Sequence, residues 1–392
     1  MGNIMNPEDA TDPRRTFLAQ IALVATALQS DVTALSLEAQ EQVTRFKADE
    51  ISLYEATFWL KSLAGAFFAY ADGLTYSIRE TAASSTDLLG DRLSRNLLRD
   101  LDTSKRLPLE RAVAVALKSL CHLCVATPVI DTSTEDFRGF KALTEARERF
   151  VHPKSHLDVC PFELFPTINP ALEWFLHTLR QTFIICGRSL GFPLQTPPQG
   201  RRFYFADDKL APFAARRSEW EAKRETGFVP DLRDVVFPLM DDTSRAMNAM
   251  LGRGIKTALQ IDCTARNFVR TLFVEIEGSV LIAAALLHSR ANAEPPSASL
   301  LSGSHEEVRN NVVVLLEKFS SRFGKRHTVL RYGKGWDAFA TARALRNRVT
   351  HPKSVEDLAL QSGDLDSLME LAGWWHGNAS ECLELNSGRV PL

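Results

Sequence analysis

The chain has 392 residues, of which 45% are hydrophobic and 24% are charged, so it is long enough and apolar enough to bury two cores of ordinary domain size. Its formal net charge is −2, so the chain has no overall basic balance, and we do not expect it to wrap nucleic acid without specificity. Any anion-binding site must therefore come from local clustering of cations.

The N-terminal segment MGNIMNPEDATDPRR lacks the apolar core of a signal peptide. The longest apolar stretches, such as Val280–Leu287, are too short to cross a bilayer. The six cysteines are sparse and follow no pattern, which indicates a reducing compartment. We therefore expect a cytoplasmic protein that does not use a membrane.

Amphipathic helices are predicted along the whole chain, because apolar residues recur at intervals of three and four and two-residue alternation is scarce. The segments with this period are Phe17–Leu28, Phe58–Leu74, Ala112–Leu123, Leu172–Ile185, Phe268–Leu287, Val308–Phe319, Ala338–Leu345 and Leu365–Trp374. Ser304 and Glu307 form a capping-box pattern, and Pro108 suits a first helical turn. The predicted fold class is all-α.

A cluster of glycines and prolines at residues 191–200 separates the chain into two parts. We predict an N-terminal helical domain over residues 1–198, a connector over 199–240 and a C-terminal helical domain over 241–392. The connector has no counterpart in the first part. Each domain is too long for a solenoid repeat, so the pattern favours a duplicated domain.

A short polar string occurs once in each domain. Residues 147–155 read RERFVHPKS and residues 346–354 read RNRVTHPKS. The alignment extends to flanking pairs: Phe68 with Phe273, Asp72-Gly73 with Glu277-Gly278, Lys118 with Lys318, Phe137 with Trp336, and Phe140 with Phe339. A duplicated fold must repeat its core positions, but it has no need to repeat Arg, His and Lys at the same gaps. The string is therefore the best indication of chemistry.

The repeated string predicts a compact cationic corner at the end of a helix. Pro153 and Pro352 disfavour helical geometry at His152 and His351, so each histidine should lie at or just past a helix C-terminus, with the arginines in about the last turn. A histidine can transfer protons near neutral pH, and a guanidinium can hold phosphate oxygens through two hydrogen bonds. A metal-free ribonuclease needs these groups to move the 2′-hydroxyl proton and to stabilise the reacting phosphate.

The motif Arg-x4-His at a helix end resembles the signature of HEPN domains. The segment Arg346-Asn347-Arg348-Val349-Thr350-His351 is similar to the family's best-matched form, whereas the first copy has Glu148 where the second has Asn347. The resemblance implies up-and-down helical bundles and metal-independent endoribonuclease activity that leaves a 2′,3′-cyclic phosphate, in toxin, antiviral or RNA-processing systems. Such domains generally pair, so two copies in one chain look like an intramolecular pseudo-dimer with one composite site.

The residues proposed for this site follow from the motif. The predicted catalytic residues are Arg147, His152, Arg346, His351 and Asn347, and the predicted substrate-binding residues are Arg149, Lys154, Arg348 and Lys353. Asp72 and Glu277, on the second long helix of each copy, would orient the motif side chains. Each has a structural alternative: the arginines could cap helices or pair with a neighbouring module, the histidines could bond to a helix end, and the acids could be surface residues.

The sequence is also compatible with other functions. The chain could be a non-catalytic module that binds RNA or a nucleotide, or a protein-interaction scaffold. No metal or cofactor is predicted, since Cys121 and Cys124 have metal-like spacing without a second pair of ligands. The expected partners are RNA and a regulatory protein such as an antitoxin, with the chain acting as a pseudo-dimeric monomer or a higher homo-oligomer.

Overall fold

A computed structural model of the chain describes residues 12–84, 99, 101–102, 107–147, 149, 165–192, 232–252, 258–289, 298–301, 303–322, 328–329 and 331–382. Within these residues the structure contains ten α-helices, two short 3-10 helices and no strand. The predicted all-α fold class is confirmed.

Five α-helices lie in the first half of the chain: α1 (Pro13–Lys47), α2 (Leu53–Ser84), α3 (Leu109–Leu123), α4 (Glu135–Glu145) and α5 (Phe165–Ser189). Asp12 caps α1 by accepting a hydrogen bond from the backbone N–H of Arg14, at 3.0 Å. Thr134 caps α4 by accepting from the backbone N–H of Phe137, at 3.1 Å. Pro108 lies immediately before α3, where a missing N–H costs no helical hydrogen bond.

Five α-helices also lie in the second half: α6 (Leu232–Leu251), α7 (Ala258–Ser289), α8 (His305–Arg322), α9 (Lys334–Thr350) and α10 (Ser362–Cys382). The 3-10 helices are Ala298–Leu301 and Val355–Leu358. The capping box before α8 is confirmed, because the Ser304 N–H donates to Glu307 Oε2 at 2.6 Å and the Glu307 N–H donates to Ser304 Oγ at 3.2 Å. Helix α6 begins inside the segment assigned to the connector.

The chain divides into two compact units, and the division does not follow the middle of the chain. Unit 1 comprises Met1–Arg147, Glu163–Ala211 and Arg348–Ala359, and unit 2 comprises Glu148–Phe162, Pro212–Asn347 and Leu360–Leu392. The twelve residues after Asn347 therefore belong to unit 1, although both α9 before them and α10 after them lie mainly in unit 2. These twelve residues include the second copy of His-Pro-Lys-Ser.

In unit 1, α1 packs along α2, α2 also contacts α3 and α5, and α4 packs against α5. The Phe140 ring stacks on Trp174 with their centroids 4.8 Å apart, and Phe67 meets Phe175 edge to face at 5.5 Å. The 3-10 helix Val355–Leu358 packs against α1. Aromatic contacts of this kind add to the stabilisation from apolar burial.

In unit 2, α6 packs against α7, and α7, α8 and α10 contact one another. The Phe339 ring meets Trp374 edge to face at 6.5 Å, and Trp336 lies 5.8 Å from the same indole. In unit 1 the aligned residues Phe140 and Phe137 both contact Trp174. Each aligned aromatic pair thus contacts a tryptophan of a later helix in its own unit.

Among the described residues, one helix, α1, is long and apolar enough to cross a membrane by length and composition. In its most apolar 18-residue window, 56% of the residues are buried inside the structure, and α1 buries them chiefly against α2. Buried core helices of water-soluble proteins meet the same test.

The cysteines of unit 1 lie in its core. Cys121, Cys124 and Cys186 are buried free thiols, and the sulfurs of Cys121 and Cys186 are 4.0 Å apart. Across the part of the chain that the structure describes, no group of three or more His, Cys, Asp or Glu side chains is arranged to hold a metal ion.

Candidate functional site

A cavity of about 390 Å³ in unit 1 brings together residues from the two copies of the motif. Its lining residues are Asp72, Thr75, Tyr76, Arg79, Leu107, Leu109, Ala112, Arg147 and His351. Arg147 opens the first copy of the string, and His351 is the histidine of the second copy. One wall is apolar and is made by the start of α3, and the other is polar and is made by α2 and the two motif residues.

Helix α2 supplies the polar wall through one of its faces. Asp72, Thr75, Tyr76 and Arg79 follow one another at spacings of three, one and three residues, so they lie on adjoining turns of the same face. All four are half-buried, whereas Gly73, between them in sequence, is buried on the other side. The face therefore opens onto the cavity because the rest of α2 is committed to the core.

Asp72 holds Arg147 in place. Arg147 Nη2 donates to Asp72 Oδ2 at 2.5 Å, and the two side chains are 31% and 20% exposed. Arg147 lies two residues past the end of α4, whose C-cap is Ala146, and its own backbone is helical. Its Nε is buried without a hydrogen-bond partner among the described residues. One edge of the guanidinium is thus oriented by the carboxylate, and the partly exposed remainder faces the cavity.

His351 can line the cavity because the helix before it ends at the preceding residue. Helix α9 ends at Thr350, as predicted from the proline that follows His351. Pro352 then packs on Gly73 of α2 so closely that a Cβ built on Gly73 would lie 2.9 Å from Pro352 Cδ and 3.2 Å from the Thr350 carbonyl oxygen. Only glycine leaves room for this approach.

The residues after Pro352 are tied to unit 1 and to their own turn. The Asp357 carboxylate accepts hydrogen bonds from the backbone N–H groups of Lys353, at 2.6 Å, and Ser354, at 3.3 Å. Lys353 Nζ lies 3.7 Å from Glu80 Oε2 on α2. Arg348 donates from Nη2 to the carbonyl oxygen of Ala359, at 3.2 Å, which closes the segment from its other end. These contacts hold the loop that carries His351.

Within the cavity, His351 lies near an aromatic ring, and that ring also contacts a second arginine. The centroids of the His351 and Tyr76 rings are 5.6 Å apart at an angle of 46°. The Arg79 guanidinium carbon lies 4.6 Å from the Tyr76 centroid, within the range of a cation–π contact. The lining therefore contains two guanidinium groups, one titratable imidazole and a single carboxylate.

Unit 2 contains the corresponding carboxylate–arginine pair. Arg346 Nη2 lies 3.4 Å from Glu277 Oε2, and its Nη1 donates to Asn347 Oδ1 at 3.2 Å. Glu277 and Asp72 are aligned in sequence, as are Arg346 and Arg147. Both copies thus join the motif arginine to an acid on the second helix of their half. This is the arrangement expected if these acids orient the motif.

The remaining predicted residues are divided between described and undescribed segments. Arg149 is described and half-buried, and it does not line the cavity with Arg147. His152 and Lys154 lie outside the described residues, so the presence of both histidines in one composite site stays a prediction. In the described part of the site, Arg147 and His351 line the same cavity.

Tyr76 and Arg79 line the cavity but were not singled out from the sequence. Neither belongs to the repeated string, and both lie just after the segment Phe58–Leu74, in which the apolar helical period is found. The available signal was spacing, because Tyr76 and Arg79 follow Asp72 by four and seven residues and must share its helix face.

The residue types that line this cavity are ones that can bind a phosphate ester and transfer a proton. Arginine donors suit phosphate oxygens, an imidazole can accept or donate a proton near neutral pH, and the apolar wall from α3 can exclude water from one side. No family model, curated protein or solved structure matches the chain.

Proposed function

We propose that the chain is a metal-independent endoribonuclease whose site combines Arg147 from the first repeat with His351 from the second. The observation that carries the proposal is that these two residues, which come from different copies of the motif, line one cavity. A motif kept only for helix capping would not require the arginine of one copy and the histidine of the other to share a cavity. Each half would be a HEPN-like module, and the chain an intramolecular pseudo-dimer.

In the proposed reaction, an imidazole accepts the proton of the 2′-hydroxyl, and that oxygen attacks the adjacent phosphorus. Arg147, oriented by Asp72, stabilises the charge on the phosphate oxygens. The 5′-oxygen leaves with a proton, so the products are a 2′,3′-cyclic phosphate and a 5′-hydroxyl. His351 serves as the acid or the base. His152 would supply the complementary proton transfer, and Arg346 and Asn347 the second half-site.

The resemblance to HEPN domains also leads to a proposal about the cellular role of the chain. We propose a cytoplasmic protein of a toxin or antiviral system that acts on RNA and is restrained by a regulatory partner. The proposed substrate-binding residues outside the cavity are Arg149, Lys154, Arg348 and Lys353.

The second candidate is a binding or scaffold module without catalysis. It is favoured by the ion pairs, because both motif arginines already contact a carboxylate, Arg147 with Asp72 and Arg346 with Glu277. Arginines that serve only to fix a fold would make such contacts. A phosphate that binds here must share the guanidinium with the acid.

The test is RNA cleavage in EDTA by the wild type and by His351→Ala, His152→Ala and Arg147→Ala. We expect wild-type cleavage, and a loss of roughly 10²- to 10⁴-fold in His351→Ala, because general acid–base catalysis contributes that much. The matched control is His122→Ala, which removes an exposed histidine from α3 of the same unit. Thermal unfolding checks that each variant is folded, and end-group analysis identifies the cyclic phosphate.

Four results would count against the enzyme. Cleavage that needs a divalent cation, or that leaves a 5′-phosphate, contradicts the mechanism. Equal activity in His351→Ala and His122→Ala contradicts the site. Wild-type protein that binds RNA in EDTA and leaves it intact supports the binding module instead.

A further inference from the structure

We infer that Arg79, held against the Tyr76 ring, is a substrate-positioning residue that binds a phosphate of the RNA in the cavity. The inference rests on the proposed function for the identity of the ligand, and it adds a residue that lies outside the duplicated motif. Arg79 and Tyr76 line the same cavity as Arg147 and His351.

The first support comes from comparing the two repeats. The alignment that pairs Phe68 with Phe273 and Asp72 with Glu277 pairs Tyr76 with Leu281 and Arg79 with Ala284. In unit 2 these two residues are apolar and buried, at 8% and 0% exposure. The repeated fold is therefore satisfied by apolar side chains at these positions. An arginine and a tyrosine at the same places in unit 1 call for a reason other than the fold.

The second support is the difference between the two arginines of the cavity. Arg147 donates to the Asp72 carboxylate at 2.5 Å, so part of its donor capacity is committed. Among the described residues, Arg79 pairs with the Glu80 carboxylate, with Arg79 Nε and Glu80 Oε1 3.7 Å apart. That distance is too long for a hydrogen bond. Glu80 also faces Lys353 Nζ at 3.7 Å, so its charge is shared.

The third support is that an aromatic ring positions Arg79. Its side chain is 19% exposed, and its guanidinium lies 4.6 Å from the Tyr76 centroid. Stacking on an aromatic ring fixes the guanidinium plane and leaves the N–H donors at its edge available. A planar fork of donors, in a cavity that an imidazole also lines, is suited to two oxygens of one phosphate. Arg79 is thus the cation of the cavity best prepared to receive an anion.

The test measures binding of a fluorescein-labelled, mixed-sequence RNA carrying 2′-O-methyl riboses, which lack the attacking hydroxyl, by anisotropy in EDTA. The full-length variants are Arg79→Ala, Arg79→Lys, Tyr76→Phe and Tyr76→Leu. The matched control is Arg138→Ala, which removes an exposed arginine of α4 in the same unit. Cleavage of ordinary RNA by each variant gives KM and kcat.

We expect Arg79→Ala to weaken binding by roughly 10- to 100-fold, because a charge-assisted hydrogen bond is lost. The slope of log K against log salt should fall by about 0.7 in magnitude, as for one phosphate contact on a single strand. Arg79→Lys should restore part of the affinity and all of the slope. Tyr76→Phe should bind like wild type, and Tyr76→Leu several-fold less tightly. KM should rise more than kcat falls.

The outcomes separate this inference from the proposed function. Unchanged affinity and salt slope in Arg79→Ala, with cleavage still abolished by His351→Ala, would overturn the role of Arg79 and leave the ribonuclease intact. Reduced affinity in Arg79→Ala, with a wild type that never cleaves, would support Arg79 and overturn the ribonuclease. A wild type that neither binds nor cleaves RNA would overturn both. If Arg79→Ala does not fold, the affinity and slope of Arg79→Lys decide.

Discussion

At the scale of single residues, the duplication separates what the fold requires from what a site requires. Asp72 and Glu277 are aligned, and each contacts the motif arginine of its own half. The exchange of Asp for Glu keeps the charge and changes the reach, while the arginine remains. By contrast, Arg79 aligns with Ala284. The first pattern indicates a constraint shared by both halves, and the second indicates one that belongs to unit 1 alone.

Gly73 carries the contact that brings His351 to α2, and we predict that it cannot be enlarged. Gly73→Ala should destabilise unit 1 by about 1–3 kcal/mol from overpacking, because the new Cβ would lie 2.9 Å from Pro352 Cδ. This outweighs the gain of about 1 kcal/mol expected when alanine replaces a helical glycine. Denaturant unfolding measures the change in unfolding free energy, and hydrogen exchange measures the protection of α2.

The chain offers a matched control in Gly65, on the same helix, where an added Cβ would meet nothing within 4 Å. Gly65→Ala should be neutral or stabilising. Combining Gly73→Ala with Pro352→Ala should recover at least half of the loss, since the two residues are in contact. Equal effects of the two glycine substitutions would show that the close packing at Pro352 is not what restricts Gly73.

At the scale of helices, α7 and α10 of unit 2 share a buried polar contact. Glu275 is fully buried, accepts a hydrogen bond from Trp375 Nε1 at 2.7 Å and lies 3.1 Å from His376 Nε2. Burial lowers the pKa of His376, but the hydrogen bond and the charge of Glu275 together outweigh it and raise that pKa above its usual value. The protonated histidine thus offsets the negative charge of the buried carboxylate.

This contact predicts a pH-dependent stability of unit 2. Because the folded-state pKa of His376 is raised, its contribution is fully present below the unfolded pKa of about 6.5 and is lost as the pH rises through the folded value. The difference in unfolding free energy between wild type and His376→Gln should therefore be largest near pH 5.5 and shrink toward pH 8.5. Denaturant titrations across this range measure it.

The control is His177→Gln, an exposed histidine on α5. Its effect should not track the pH profile of His376→Gln. A His376→Gln difference that stays constant from acid to alkaline pH would contradict the Glu275 contact as the source of the stability.

At the scale of the whole molecule, the chain does not assign each half of its sequence to one unit. Helix α9 carries residues of unit 2 up to Asn347, and the next twelve residues belong to unit 1. Unit 1 therefore includes a segment, Arg348–Ala359, that lies far along the chain from the helices of that unit. Closing such long loops costs chain entropy and slows folding. We expect unit 1 to depend on a segment synthesised long after its own helices.

Leu358 tests this arrangement. It is 2% exposed in the 3-10 helix that packs against α1, so Leu358→Ala should cost about 2–5 kcal/mol through lost burial and a cavity. Hydrogen exchange followed by mass spectrometry should show faster exchange in peptides of α1. The control is Met369→Ala in α10, where the side chain is 37% exposed.

Protection of α1 that survives Leu358→Ala, with faster exchange only in α10, would contradict the assignment of residues 348–359 to unit 1. Faster exchange in α1 with Met369→Ala as well would indicate a general loss of stability. The comparison of the two variants separates these cases.

The sequence by itself determined the helical class, the capping box at Ser304 and the end of α9 before His351. These features depend on neighbours within a turn or two, through apolar periodicity, cap hydrogen bonds and the restriction that proline places on the preceding residue. The repeated string also pointed to Arg147 and His351 as residues of interest. Their types and spacing are local properties.

Only the tertiary structure decided that Arg147 and His351 line one cavity, and that Tyr76 and Arg79 join them. The packing of Pro352 on Gly73 links distant parts of the chain. The periodicity of apolar residues in the sequence does not show which distant segments pack together. The pairing of Asp72 with Arg147 likewise depends on how α4 lies against its neighbours. Local preferences specify helices, whereas the close packing of side chains from distant segments specifies the site.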